Sequence, residues 1–134
     1  SLLEEIGLGE PHILKMGIVE NINDAYSAMD LFVLSSCGEA FPNVLAEAMA
    51  CELPCVATDV GDTNLIIADT GWIVPANNPL SLAAAISEAM MTFGDTQSWK
   101  ERKSRCRLSI KNNFSILKTV RLYEEAWHSS DRLK

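Results

Sequence analysis

Basic residues are scarce over most of this 134-residue sequence: residues 1–99 contain a single one, Lys15, against fourteen acidic residues. This scarcity argues against a nucleic-acid partner, because nucleic acids are bound through basic faces. Long apolar runs are also lacking, and each is interrupted well short of the ~20 residues that a membrane-spanning helix needs. The first residues do not show the basic, apolar and small-residue pattern of an export signal. We therefore expect a cytoplasmic protein.

Cysteine occurs at only four positions, Cys37, Cys51, Cys55 and Cys106. Cys51 and Cys55 straddle three residues, but no second pair and no histidine partner completes a zinc-binding pattern. A free cysteine in or beside an apolar run behaves as a small hydrophobic residue. We therefore expect structural thiols rather than a metal site or a disulfide, which agrees with a cytoplasmic location.

Basic residues are concentrated at the other end of the chain, where residues 100–134 hold ten of them against four acidic residues. Peripheral contact with an anionic membrane surface, or with another domain, would use such a basic end. A run such as residues 100–105 is more often a solvated helix face, which is the interpretation we favour. The length and the hydrophobic content of 48% fit one domain, residues 1–134, with C-terminal helices at about 97–128.

Short apolar runs alternate with helical segments along the chain. A continuous apolar run such as residues 31–35 is typical of a strand buried on both faces. This alternation predicts an α/β fold, a Rossmann-like parallel sheet with helices on both faces. Strands are predicted at 12–16, 31–35, 54–58 and 72–74, and helices at 2–6 (the end of one), 23–29 with Asn23 as N-cap, 43–51, 65–68, 80–91, 97–111 and 116–128.

The loop after the second predicted strand, residues 36–42, runs directly into a helix. Ligands of parallel sheets bind beyond the carboxyl ends of the strands, which is where this loop lies. Gly38 lets the backbone turn tightly or come close to a ligand, and Pro42 suits the first turn of a helix. The N–H groups that open the helix, those of Asn43 and Val44, are a ready site for a phosphate.

Two carboxylates flank this helix start. Glu47 is the only charged side chain between residues 40 and 51, and a helix that is apolar nearly all round is expected to be buried. A carboxylate there is costly unless it is hydrogen-bonded or faces a cleft, and Glu39 lies in the loop beside it. A ligand with hydroxyl groups and a diphosphate, such as a nucleotide sugar, would satisfy both carboxylates and the N–H groups.

The segment from Glu39 to Glu47, Glu-Ala-Phe-Pro-Asn-Val-Leu-Ala-Glu, resembles the signature of two glutamates with seven residues between them in retaining glycosyltransferases of the GT-B fold, especially glycosyltransferase family 4. The flanking segments 26–36 and 48–61 are similar to the family as well. So are Asp69-Thr-Gly-Trp-Ile-Val-Pro75 and Asn113-Phe-Ser115 ahead of the last helix. The resemblance covers nearly the whole chain and implies the C-terminal, donor-binding half of a GT-B enzyme.

The resemblance implies a role for each site residue. Glu47 would bind the ribose hydroxyls of the donor, and Glu39 would lie at the donor sugar as the catalytic residue. The implied reaction is sugar transfer from a nucleoside-diphosphate sugar to a glycan or lipid acceptor with retention of configuration, without metal or other cofactor. The wall beside the nucleobase would be the turn at Met16 and Gly17, and the remaining donor-binding residues would be Gly38, Ala40, Phe41, Pro42, Asn43 and Val44.

The sequence departs from the family pattern in two ways. Glu52 stands where the family usually has glycine, Asp62 replaces a second glycine after Gly61, and Asn64 occupies the place of an acidic residue. The family's first strand of this domain, the Arg and Lys that contact the diphosphate, and the N-terminal acceptor-binding domain are also missing. We therefore expect a domain truncated at its N-terminus and inactive alone. In the family's strand order the two missing strands lie between the strands at 12–16 and 31–35, so we expect the chain either to rearrange or to self-associate through exposed sheet edges and borrow a partner's strands.

Other functions remain open at this point. One is a nucleotide-sugar-binding subunit without activity of its own, and another is a nucleotide-sugar 2-epimerase, which has the same fold and needs no acceptor. A third is an unrelated doubly wound binding domain in which Glu47 is structural. Binding that survives Glu47→Gln would indicate this third alternative.

Overall fold

The computed structural model describes residues 5, 7 and 12–130 and shows helices alternating with short parallel strands. It confirms the predicted α/β class, and each helix and strand predicted from residue 23 onward is present with boundaries within two residues. The helix end predicted at 2–6 lies, apart from Glu5, outside the described residues. The elements are α1 (Ile22–Ser27), β1 (Phe32–Leu34), α2 (Asn43–Ala50), β2 (Cys55–Thr58), α3 (Thr63–Ile67), β3 (Trp72–Val74), α4 (Pro79–Phe93), α5 (Thr96–Asn113) and α6 (Ile116–Ser130).

The three strands form one parallel sheet in the order β1-β2-β3. Val33 pairs with Val56, and Ala57 pairs with Ile73. All four residues of β2 are buried because this strand has a neighbour on each side and helices over both faces. The carboxyl ends of the strands therefore meet at one edge of the sheet.

Successive side chains of β2 point to opposite faces of the sheet, and each face has its own hydrophobic cluster. Cys55 and Ala57 belong to a cluster on one face, with α2 and α3, whereas Val56 belongs to a cluster on the other face, with α4. Helix α5 joins the two, because Cys106 lies in the first cluster and Trp99 in the second. Burial raises the pKa of the Cys55 and Cys106 thiols, so both remain protonated and pack as small hydrophobic residues.

The strand predicted at residues 12–16 is not formed. Residues 13–17 pair with no strand of the described chain, and the side chains of Leu14 and Met16 are 78% and 54% exposed. A strand is stabilised by the neighbour to which it hydrogen-bonds, and the apolar pattern alone does not supply one. The prediction was wrong because it used the side-chain pattern of the segment without a partner.

Two further local predictions were wrong. Strand β1 is not buried on both faces, since Val33 is 39% exposed at an edge strand whose one face is left partly open. Asn23 is not the N-cap of α1, because the helix begins two residues earlier than a cap at that position allows. Asn21 occupies the N-cap position, and its side-chain amide donates to Asp24 instead of capping the helix. The burial of β1 and the start of α1 depend on contacts with other parts of the chain, which the local sequence pattern does not show.

No helix in the described part of the chain has the length and apolar character to cross a bilayer.

Candidate functional site

The loop between β1 and α2 is fixed at the carboxyl edge of the sheet. Thr58, the last residue of β2, is buried, and its hydroxyl donates to the carbonyl of Ser36 at 2.6 Å. This bond ties the start of the loop to the neighbouring strand. The loop therefore leaves the sheet in a defined direction toward the N-terminus of α2.

The turn that contains Gly61 packs against the backbone of the same loop. The N–H of Asp62 donates to the carbonyl of Ala40 at 2.9 Å. Gly61 has φ +50°, and a Cβ atom at this position would overlap the carbonyl oxygens of Glu39 and Ala40. Glycine is required here both for its conformation and for the close approach of two backbones. The turn after β2 thus holds the backbone of Glu39 in place.

Gly38 does not have the tight-turn role that the sequence suggested. Its φ is not among the positive values, and an added Cβ would meet nothing within 4 Å. The tight approach occurs at Gly61 instead. A close approach of Gly38 to a ligand remains a prediction.

Glu39 is exposed, and its carboxylate is oriented by its own loop. The hydroxyl of Ser36 donates to Oε1 of Glu39 at 2.9 Å. The other carboxylate oxygen has no such partner among the described residues. Ser36 is a positioning residue that the sequence analysis did not identify, because a serine three residues away is a weak signal alone.

Glu47 lies on the exposed side of α2, so the expectation that this helix is buried all round was wrong. Leu45, Ala48 and Met49 are fully buried, whereas Val44 and Glu47 are exposed. The helix packs one face on the core and leaves the other exposed. The carboxylate therefore carries no burial cost and is accessible to a ligand.

Tyr26 orients Glu47 from α1. The phenol hydroxyl donates to Oε2 of Glu47 at 3.1 Å, and the Tyr26 side chain is 2% exposed with its ring edge-on to Phe32. Burial, and secondly the hydrogen bond to Glu47, raises the pKa of Tyr26 to about 12. The phenol is therefore a permanent donor near neutral pH, and it leaves Oε1 of Glu47 for a ligand. The 21-residue separation hid this pair from sequence analysis.

The start of α2 has the features of an anion site. Pro42 occupies the N-cap position and offers no side-chain hydrogen bond to the helix. The N–H groups of Asn43 and Val44 are thus left without a side-chain cap. Phe41 is anchored by its ring contact with Phe114 at the end of α5, with centroids 5.8 Å apart. Together with the helix dipole, these N–H groups suit a phosphate between the two carboxylates.

The predicted nucleobase wall is separate from these contacts. Met16 is exposed and Gly17 has φ +63°. Within residues 12–130, no hydrogen bond joins either residue to the loop or to α2. Their part in ligand binding remains a prediction. No set of three or more His, Cys, Asp or Glu side chains in the described residues is grouped to hold a metal ion.

The chain is similar to known glycosyltransferases in sequence. A family model described as "Glycosyl transferases group 1" matches residues 1–92. An N-acetyl-alpha-D-glucosaminyl L-malate synthase from Bacillus anthracis is 31% identical over 121 residues, which cover 89% of this chain and 31% of that protein. The chain thus spans about a third of the length of this relative.

Solved structures share the fold. HepE of Anabaena, in complex with UDP, superposes with a TM-score of 0.83 at 23% identity, over 95% of this chain and 35% of that one. The C-terminal domain of a group 1 glycosyl transferase family protein from Francisella tularensis gives a TM-score of 0.70 at 24% identity, over 86% of this chain and 60% of that one. These likenesses confirm the predicted architecture, that of the C-terminal domain of the GT-B fold.

Proposed function

The chain belongs to the group 1 glycosyl transferases, and from this membership we propose that it is the donor-binding domain of a retaining glycosyltransferase. The proposed reaction moves a sugar from a nucleoside-diphosphate sugar to a glycan or lipid acceptor. The observation that carries the proposal is the pair of exposed, oriented carboxylates on either side of an uncapped helix start. The ribose, the diphosphate and the transferred sugar of a nucleotide sugar each find a matching group there.

Glu47 is proposed to bind the ribose. Its Oε2 is occupied by Tyr26, and its Oε1 accepts from ribose hydroxyls. A hydrogen bond to a charged acceptor is worth about 1.5–3 kcal/mol, more than one to a neutral group. The permanent protonation of Tyr26 keeps the carboxylate in this orientation.

The diphosphate is proposed to lie against the first turn of α2. Lys15 is the sole cation in residues 1–99, so the backbone N–H groups of Asn43 and Val44 provide the positive potential on this side. Glu39, held by Ser36, then lies at the sugar that is transferred. In this arrangement the donor extends from Glu47 past the helix start to Glu39.

Neighbouring proteins support a uridine nucleotide as the first donor to test. HepE of Anabaena has been crystallised with UDP and with UDP-glucose. We propose that the acceptor binds to a further domain, because this chain spans about a third of the length of its relatives. Sugar transfer is therefore expected only when such a domain is present.

Calorimetric titration of the chain with UDP, GDP and ADP tests the proposal. We expect one of these nucleotides to bind, and we expect Glu47→Ala to weaken its binding about tenfold or more, because a charge-assisted hydrogen bond is lost. Glu88→Ala is the matched control, since Glu88 is an exposed glutamate on α4 and should leave binding unchanged.

Two results would contradict the proposal. One is that the chain binds none of the three nucleotides. The other is that Glu47→Ala binds the selected nucleotide as tightly as the unaltered chain. Tyr26→Phe provides a further check: it retains the carboxylate but removes the donor that orients it, so its affinity should lie between those of the two forms.

A further inference from the structure

A second cleft opens at the carboxyl edge of the sheet, on the side of α4. Its volume is about 340 Å³, at the small end of the ~300–1,000 Å³ range of ligand pockets. Helix α4 covers the face of the sheet opposite to α2, so this cleft is distinct from the surface between Glu47 and the start of α2. The residues that line it are Ser35, Cys37, Thr58, Asn77, Asn78, Pro79 and Leu82.

The lining surface is mostly apolar and carries several polar side chains but no charged one. Oδ1 of Asn77 accepts from the thiol of Cys37 at 3.2 Å, and Oδ1 of Asn78 accepts from the N–H of Ser81 at 3.0 Å. The amide N–H₂ groups of both asparagines have no partner in the described part of the chain. Pro79 and Leu82 add an apolar surface. An anion finds no cation here, whereas a neutral ligand with hydroxyl groups and C–H surface finds both kinds of contact.

Asn77 has a conformation that most residues avoid. Its φ is +58°, and glycine would adopt this conformation without steric cost. After glycine, asparagine is among the residues that adopt this conformation most readily, so the turn itself explains the backbone at this position. The contact with the Cys37 thiol uses only Oδ1 and leaves the amide N–H₂ group free. The free amide group of Asn77 is therefore the feature that a ligand would use.

Ser36 connects the cleft to Glu39. Thr58 lines the cleft and holds the carbonyl of Ser36, while the hydroxyl of the same Ser36 holds the Glu39 carboxylate. A ligand in the cleft therefore lies next to the loop that presents Glu39. This is where one of the two sugars in a transfer reaction would be expected.

We propose that this cleft binds a neutral sugar ring, with the Asn77 and Asn78 amides donating to ring hydroxyls and with Pro79 and Leu82 against the C–H face. The proposal deepens the function proposed above and rests on it for the identity of the sugar. The ring belongs either to the donor or to a saccharide acceptor, and both present the same chemistry. Asn77 is then a specificity-determining residue.

The first experiment compares UDP with UDP-glucose on the unaltered chain and on Asn77→Gly. Glycine retains the backbone conformation and removes the side chain, including the Oδ1 that accepts from the Cys37 thiol, so this variant is expected to fold. If the ring is that of the donor, Asn77→Gly binds UDP as tightly as the unaltered chain does. The ratio of UDP-glucose affinity to UDP affinity is then about fivefold lower in the variant. Ala68→Gly is the matched control, because it relaxes another positive φ, +48°, outside the cleft.

The second experiment uses methyl α-glucoside, which carries no nucleotide. If the ring is that of an acceptor, the side-chain amide signals of Asn77 and Asn78 shift in NMR spectra on titration, and in Asn77→Gly the Asn78 shift weakens. The inference is overturned if the glucoside shifts neither amide and Asn77→Gly leaves the UDP-glucose increment unchanged. Failure of UDP, GDP and ADP alike to bind would overturn the proposed function, while the glucoside titration would still decide whether the cleft binds sugar.

Discussion

Glu52 shows why the family pattern usually has glycine at its position. It follows α2 with φ +62°, and the N–H of Leu53 donates to the carbonyl of Ala48 at 3.1 Å to close the helix end. This closure requires a left-handed residue, which glycine adopts without strain. The Glu52 side chain gains only an exposed ion pair with Arg107 at 3.6 Å. Exposed ion pairs contribute little to stability, so this one does not offset the backbone strain at Glu52.

Glu52→Gly should therefore stabilise the protein. We expect the free energy of unfolding to rise by about 1 kcal/mol, because relief of left-handed strain exceeds the greater entropy of glycine in the unfolded chain. Urea denaturation measures this change. Glu52→Ala is the control, since it removes the same ion pair but retains a Cβ atom, and it should not be stabilising. Equal stability of the two variants would show that the backbone at this position is not strained.

Helix α6 has an apolar stripe that the described fold does not cover. Ile116, Val120, Tyr123 and Trp127 recur at spacings of four, three and four residues, and all four are exposed. All residues from 116 to 128 are exposed except Lys118, which is half-buried. Isolated helices of this length are marginally stable in water, so we expect α6 to contribute little to the stability of the fold while its stripe is exposed.

Replacing a leucine by alanine in α2 and in α6 tests whether α6 is less well packed than α2. Leu45 on α2 is 0% exposed, whereas Leu117 on α6 is 75% exposed. We expect Leu45→Ala to lower the free energy of unfolding by about 2–5 kcal/mol through the cavity it leaves. Leu117→Ala should lower it by less than about 0.5 kcal/mol. If Leu117→Ala is as destabilising as Leu45→Ala, α6 is packed against the protein in solution.

The elements of the fold were predictable where their cause is local. The helices from α2 onward and strands β2 and β3 follow from apolar periodicity and from residues such as Pro79. The strand at 12–16 failed because its stability depends on a partner strand. Glu39 and Glu47 were identified by their place in the loop and in an otherwise uncharged helix start and by the family resemblance, but Tyr26 and Gly61 each act on residues about twenty positions away. Contacts of that kind exist only after the sheet has brought the loops together.

The molecule as a whole leaves β1 with a neighbour on one side only. In the described sheet β1 stands at one end of the strand order, and Val33 is half-exposed there. Exposed edge strands pair with other chains unless a charge or a covering segment prevents it. Both β1 and β3 are edge strands of this sheet, and we predict that the self-association expected from the sequence uses the outer edge of β1.

Sedimentation velocity over a range of concentrations measures this association. We expect the unaltered chain to form larger species as concentration rises, and we expect Val33→Lys to shift it toward the monomer, because a charge on an edge strand opposes pairing. Leu65→Lys is the control, since it replaces another exposed apolar residue, on α3, away from the edge. A monomer at every concentration for the unaltered chain would refute the prediction.

Gly61 offers a ligand no functional group, yet the position of Glu39 depends on its lack of a side chain. Any larger residue at this place would push the loop that carries the carboxylate. The mutational tolerance of the site is therefore narrower than its list of ligand-contacting groups implies. A survey of neutral and harmful changes in this protein would rank position 61 with Glu39, for reasons of space alone.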